Sequence, residues 1–382
     1  MTGSVVEVEA SADERWRREF PILRDWTYLD HATFGPTPRA HVRASQEAVA
    51  RTSELPIAEI GSSGAMEALR REAAALLHSG DDSLALLKCT SEGIDLVAQG
   101  LSWQAGDEVI LYDADFPGTL APWIALERKG VILRMIADRG RSRFDVEDVE
   151  ALISSRTRAI CISLVNSSHG FRAPAGEIAA LTRPRGIWFA LDAVQAIGTG
   201  DIDVPALGAD VVAAHGYKFL LSGFGVALVW CSPRAIAELD APQIGWKNTG
   251  GPRPMGVSFA EGGARRFEST IASYPAVEGM RGSLSLLASV GLAATGNRIA
   301  ALVDALADAV PERGYSVRSS RKPGETSAIL SLRHSSLDAE AVQQALKQAR
   351  VACAVRDGSV RIAPHFHNSL EDVGRLVAAL PV

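Results

Sequence analysis

Cysteine is scarce in this chain, and the four present, Cys89, Cys161, Cys231 and Cys353, stand far apart and mostly inside apolar runs. That spacing excludes a zinc-ligand pattern and favours reduced, buried thiols over a disulfide framework. Long hydrophobic runs are missing as well. Nothing approaches the roughly 20 apolar residues that span a bilayer, and the amino terminus, MTGSVVEVEASADERWRREF, is acidic and polar, unlike a signal peptide. A cytoplasmic protein with no membrane partner is expected. There is no basic stripe either: the formal charge is -6, the pI is about 5.8 and both signs are interspersed, so no nucleic-acid partner is expected. No G-x-G-x-x-G follows any predicted strand, which sets a dinucleotide-binding enzyme aside. What the chain does have is room, since 382 residues that are 47% hydrophobic can bury a large core and fill two domains.

The stretch that carries chemistry runs from Ile187 to Trp230. Ile187-Trp188-Phe189-Ala190-Leu191 is a continuous apolar run of buried-strand type, and Asp192 follows it directly. A carboxylate therefore sits at a strand's carboxyl end, the edge where open α/β sheets place ligands. A second run, Ala209 to Ala214, leads into His215-Gly216-Tyr217-Lys218-Phe219-Leu220-Leu221, with a lone lysine among aromatic and aliphatic neighbours. Desolvation there would lower its pKa. A buried lysine can be a Schiff-base nucleophile, and a carboxylate nearby can hold a pyridinium nitrogen protonated so that the ring acts as an electron sink. Together they point to pyridoxal phosphate. Taken singly, Asp192 is better read as a helix or turn cap and Lys218 as a side chain that snorkels to water.

In chain order, Ser11-Ala12-Asp13-Glu14 opens a short helix by a capping-box pattern, and Pro21 stops it. A turn-rich loop follows from Tyr28 to Arg39, then helical patterns over 39–53 and 65–78 that serve the core. The strand 83–88 delivers Cys89-Thr90-Ser91-Glu92-Gly93 to the start of a helix, either a phosphate site or a simple cap. Strand 108–112 ends in Asp113-Ala114-Asp115-Phe116-Pro117-Gly118-Thr119. Strands 131–137 and 158–165, with a helix 146–153 between them, continue the βαβ rhythm of a parallel sheet and bring Asn166-Ser167-Ser168-His169-Gly170 to the same edge. After the strand 225–230, residues 244–263 are Gly- and Pro-rich and read as an ordered loop or lid. A long helical stretch, 276–310, precedes a compact α+β unit whose strand 360–363 carries Arg361, either a bidentate clamp for a carboxylate or a surface ion pair.

Asp192-Ala193-Val194-Gln195 followed by His215-Gly216-Tyr217-Lys218-Phe219-Leu220-Leu221-Ser222-Gly223-Phe224-Gly225 resembles the cofactor-lysine region of the aminotransferase class V family, in the branch of cysteine desulfurases, kynureninases, isopenicillin N epimerases and C–S lyases. The resemblance implies the α/β, fold type I architecture of pyridoxal-phosphate-dependent transferases: an N-terminal arm (1–27), a large domain (28–282) on a mostly parallel, seven-stranded sheet, and a small α+β C-terminal domain (283–382). It implies that Lys218 carries pyridoxal 5'-phosphate, that Asp192 pairs with the pyridine nitrogen, and that Gln195 contacts the ring hydroxyl. Thr90, Ser91, His215 and Tyr217 would reach the phosphate, and Phe116 would stack on the ring where desulfurases use histidine. Tyr28-Leu29-Asp30-His31-Ala32-Thr33-Phe34-Gly35-Pro36 is similar to the family's opening motif, which implies that His31, Thr33 and Phe34 line the substrate pocket. Asn166 would sit near the ring hydroxyl and the substrate carboxylate, and Arg361 would bind that carboxylate. Ala264 to Ile271 resembles the segment that reaches the partner subunit's phosphate, a role carried to Thr270, and the family implies a homodimer.

For the reaction, proton abstraction at Cα by Lys218 and β-elimination from a cysteine conjugate are expected. A transaminase is the rival, with epimerisation and decarboxylation-linked chemistry open and a non-catalytic relative a third possibility. Cysteine desulfurases are set aside at this stage, because Cys353 lies in the strand pattern Val351-Ala352-Cys353-Ala354-Val355 instead of on a Gly-rich mobile loop.

Overall fold

The computed structural model describes residues 14–61, 64–248 and 262–382. The capping pattern at Ser11 to Asp13 and most of the 244–263 loop fall outside the described residues.

Seven apolar runs form one sheet: β1 (Leu84–Leu87), β2 (Glu108–Tyr112), β3 (Ile132–Ile136), β4 (Thr157–Ser163), β5 (Trp188–Asp192), β6 (Val211–His215) and β7 (Ala227–Cys231). Their spatial order is β1-β7-β6-β5-β4-β2-β3. Every pairing from β6 to β3 is parallel, and β7 runs antiparallel to both β1 and β6. Both faces are covered, which is why these strands read as continuous hydrophobic runs. Ile160, Ile162, Phe189 and Leu191 bury into one core layer, while Ala159, Cys161, Trp188 and Ala190 bury into the other. Each fully buried large apolar side chain contributes roughly 1.5–3 kcal/mol.

The helices that flank this sheet and concern the site are α1 (Arg39–Glu54), α2 (Ala65–Leu76), α3 (Thr90–Gly100), α4 (Pro117–Ile124), α5 (Tyr274–Val290) and α6 (Leu292–Ala309). The stretch expected as one long helix is thus two, because Gly291 between them takes φ 87°, a left-handed value that ends the first helix. Helices α5 and α1 cross at backbone contact: a Cβ on Gly282 would lie 2.6 Å from the Ala40 carbonyl oxygen. Among the described residues, no single helix is long and apolar enough to cross a membrane.

The outer edge of β1 is closed by a buried ion pair. The Arg70 guanidinium donates to the Leu84 carbonyl (2.6 Å) and to Glu268 (2.7 Å), and the Glu268 carboxylate accepts the Leu86 N–H (2.9 Å) and pairs with Lys247. An edge that would otherwise offer free donors and acceptors to another chain is satisfied within this one.

The C-terminal sheet has the order β10-β11-β9-β8, all antiparallel, from β8 (Tyr315–Val317), β9 (Leu330–His334), β10 (Ala354–Arg356) and β11 (Ser359–Ile362). A separate two-residue pairing, Thr27–Tyr28 with Val351–Ala352, runs parallel and joins the early chain to the late chain.

Candidate active site

The parallel strands deliver their polar residues to one edge. Asp192 ends β5 and is 4% exposed; its Oδ1 accepts the Val194 N–H (3.0 Å) and its Oδ2 the Thr119 hydroxyl (2.8 Å). Burial raises the proton affinity of this carboxyl group, opposed by the Val194 amide, the Lys218 ammonium and Thr119. Strand β6 ends in His215, and the turn after it presents Lys218, which is 6% exposed. Burial pushes the Lys218 pKa down to about 8, against the pull of Asp192 and with the help of the Arg361 charge. Its Nζ stands 5.6 Å from the centroid of the half-exposed Phe116 ring and 6.0 Å from that of Tyr217. The turn is held tightly, because Gly35 donates to the Tyr217 carbonyl (2.7 Å) and a Cβ on Gly35 would fall 2.0 Å from the Lys218 carbonyl oxygen.

A polar corner adjoins this lysine. Gly93 lets α3 press on β6, since a Cβ there would lie 2.5 Å from the Cβ of Ala213. That contact brings Thr90 to His215, with Thr90 Oγ1 2.6 Å from Nδ1 and accepting the His215 N–H (3.1 Å). Nδ1 also accepts the Thr90 N–H (3.4 Å), which leaves the hydrogen on Nε2. Burial and the Lys218 charge push the His215 pKa to about 3, so the ring is neutral, and its Nε2 is buried with no partner among the described residues. Cys89, the residue before α3, supplies no side-chain cap to the first-turn amides. An orphaned N–H beside a helix N-terminus matches what a phosphate group requires. The Tyr217 and His215 rings lie 3.7 Å apart between centroids, tilted by 36°, and Ser91 is half-buried in the first turn of α3.

Gln195 donates to the Ala32 carbonyl (3.0 Å), while its Oε1 is buried and unpartnered among the described residues, an acceptor suited to a hydroxyl. With a lysine nucleophile, a buried carboxylate for the ring nitrogen and an exposed aromatic face, the residues fit pyridoxal phosphate.

Arg361 is 1% exposed and is no surface ion pair. It donates to the Ser167 carbonyl (2.6 Å), to Asp30 (3.2 Å) and to Thr33, and its Nε is buried without a partner among the described residues. The loop after Tyr28 thus enters the site through Asp30 and Thr33.

Two expected contacts are placed elsewhere. His31 does not line the pocket: it is fully buried, with Nδ1 donating to the Ala363 carbonyl (2.8 Å) and Nε2 facing His367 Nε2 (3.1 Å). It belongs to a neutral histidine cluster in which His365 Nε2 donates to the Phe219 carbonyl (2.9 Å). Asn166 is spent on bracing its own loop; it donates to Ala114 O (2.8 Å) and accepts from the Ser168 (2.8 Å) and His169 (3.2 Å) amides. Thr270, whose expected contact is with the partner subunit's phosphate, is exposed and lines a cavity of about 230 Å³ with Leu87, Lys88, Glu92 and Ile271. Conversely, Asp115 was not singled out, yet it is a buried acid beside Asp192, held by the Ser163 (2.7 Å) and Phe116 (3.1 Å) amides, and burial raises its pKa to about 6.

The aminotransferase class-V profile matches residues 27–375. A probable cysteine desulfurase of Methanothermobacter thermautotrophicus is 31% identical over 235 residues, 60% of this chain and 58% of that protein, so the chain spans under two thirds of that curated relative's length. The apo structure of a cysteine desulfurase from Thermococcus onnurineus NA1 matches with a TM-score of 0.88 at 20% identity, over 96% of each chain. A C-DES variant with glycine covalently linked to its pyridoxal phosphate cofactor matches with a TM-score of 0.87 at 22% identity, over 95% of this chain and 98% of that one.

These names overturn the setting aside of cysteine desulfurases. Cys353 is buried, and burial pushes its thiol up to about 12. The chain belongs to the aminotransferase class-V family, pyridoxal-phosphate-dependent enzymes of fold type I.

Proposed function

We propose that the chain is a desulfurase-type enzyme that takes sulfur from a cysteine-class amino acid. The observation that carries this reading is the buried lysine of pKa about 8 facing Asp192, with the Arg361 guanidinium close enough to depress it further. Pyridoxal phosphate supplies the electron sink that makes bonds at Cα labile. Around it, Asp192 takes the ring nitrogen, Gln195 Oε1 the ring hydroxyl, and His215 Nε2–H with the first turn of α3 the phosphate. Phe116 covers the ring face. Arg361 orients the substrate carboxylate through its orphaned Nε and its outer N–H groups. Lys218, partly neutral near pH 8, holds or moves the proton at Cα.

All four cysteines lie among the described residues; Cys161, Cys231 and Cys353 are buried and Cys89 is partly exposed. A buried, protonated thiol is a poor nucleophile, so the sulfur passes to the partly exposed Cys89 or to a thiol from solution. In that transfer the Cβ–S bond breaks, an S–S bond forms, and cysteine plus thiol give alanine plus persulfide. We also propose a homodimer, since Phe224 (68% exposed), Trp246 (67%) and Ile271 (55%) are large apolar side chains exposed on the single chain.

The test is holoenzyme with L-cysteine and dithiothreitol, with alanine, pyruvate and sulfide quantified together. Alanine and sulfide in equal amounts are expected. Pyruvate and ammonia in place of alanine, or turnover only with an added keto acid, would refute the proposal.

A further inference from the structure

We infer that Thr119 is a positioning residue for the cofactor, its hydroxyl fixing the direction and charge of the Asp192 carboxylate. The inference rests on Asp192 facing the ring nitrogen.

Asp192 has one hydrogen bond on each oxygen, and the two differ in kind. The Val194 amide lies on the same turn as Asp192 and moves with it. Thr119 arrives from α4, after β2, and is fully buried. It therefore references the carboxylate to a different part of the sheet. Rotating the carboxylate would break both bonds.

The Thr119 N–H donates to the Phe116 carbonyl (2.9 Å). One turn of chain therefore presents both the aromatic ring for the cofactor's face and the hydroxyl for the acid at its nitrogen. Face and nitrogen are set relative to each other by that turn.

Charge gives the hydroxyl a second task. Asp115, in the same segment, is a buried acid whose proton affinity is raised by burial and, further, by the Asp192 charge. Two buried carboxylates in one region favour protonation of one of them. A hydroxyl donor stabilises the ionised form: the Thr119 hydroxyl donates to Asp192, while Asp115 is held by the Ser163 and Phe116 amides and by the Ser163 side chain.

The test compares holoenzyme carrying Thr119→Val, Thr119→Ser, Asp192→Ala, or Thr119→Val with Asp192→Ala. The readouts are the visible absorption band of bound cofactor and the Kd of pyridoxal phosphate for the stripped protein. A hydrogen bond to a charged group is worth about tenfold or more in Kd, so Thr119→Val should weaken binding by about that factor and shift the band. Thr119→Ser should restore both, and Thr119→Val should add nothing on the Asp192→Ala background. If valine proves too tight to fold, Thr119→Ala carries the same comparison. An equal loss with and without Asp192, or no rescue by serine, would overturn the inference and leave the reading of the site intact. Unchanged cofactor binding and spectrum in Asp192→Ala would overturn both.

Discussion

Removing the lysine at the centre of the site should stabilise the protein once the cofactor is stripped away. Lys218 is 6% exposed, and burial lowers its pKa from 10.5 to about 8. Holding the ammonium charged there costs about 3 kcal/mol relative to an exposed lysine. The folded chain gives up this proton near pH 8, whereas the unfolded chain keeps it until about 10.5. Between those values the unfolded state binds more protons, so stability rises with pH across the window. Below pH 8 the full cost is present. Lys218→Met keeps the side chain's length and carries no proton. Its stripped form should therefore exceed wild type by up to about 3 kcal/mol at pH 7, shrinking to under about 1 kcal/mol at pH 10. Urea unfolding of both cofactor-free proteins at the two pH values, followed by tryptophan fluorescence, reads the difference directly. A variant less stable than wild type at pH 7, or an offset identical at both pH values, would refute the argument that desolvation governs this lysine.

Other substitutions probe the frame around it. Glu268→Ala leaves the fully buried Arg70 and the Leu86 amide without their partner and should cost about 3–5 kcal/mol by urea unfolding; Arg70→Met combined with Glu268→Leu should recover most of that. Gly35→Ala would drive a Cβ to 2.0 Å from the Lys218 carbonyl, so bound cofactor absorbance should fall sharply while far-UV circular dichroism is unchanged. Arg361→Lys loses the planar fork that reaches Ser167, Asp30 and Thr33, and KM for the amino acid should rise roughly 10- to 100-fold with a smaller change in kcat.

How far the sequence reached depended on whether a feature lies along the chain or across it. The β-strands were legible because burial on both faces leaves uninterrupted apolar runs, and Asp192 and Lys218 stood out because each follows such a run. Orientation was not legible. His31 sits one residue from Asp30, yet one points into a histidine cluster and the other at Arg361. Asn166 has the residue type of a ligand contact, but its amide is consumed by the backbone of its own loop. Thr119 was visible only as the end of a turn, because its partner is 73 residues away. Gly291 was a single letter inside a helical pattern, and its backbone angle splits that pattern in two. Cys353, read as part of one strand, lies in the gap between two short ones, Val351–Ala352 and Ala354–Arg356; it is buried, but the reaction class drawn from it was wrong, since one thiol's burial says nothing about the cofactor chemistry beside it.

The parallel pairing of Thr27–Tyr28 with Val351–Ala352 sets a schedule on the ribosome. The early strand must wait for a partner some 320 residues downstream, a delay of roughly 20 s to a minute at ordinary elongation rates. The loop that follows it, with Asp30 and Thr33, waits for Arg361 over the same interval. The sheet that holds Lys218 can close well before then. A nascent chain therefore has its cofactor cradle before it has its carboxylate clamp, and a chain truncated before Val351 would carry the lysine without the means to seat a substrate against it.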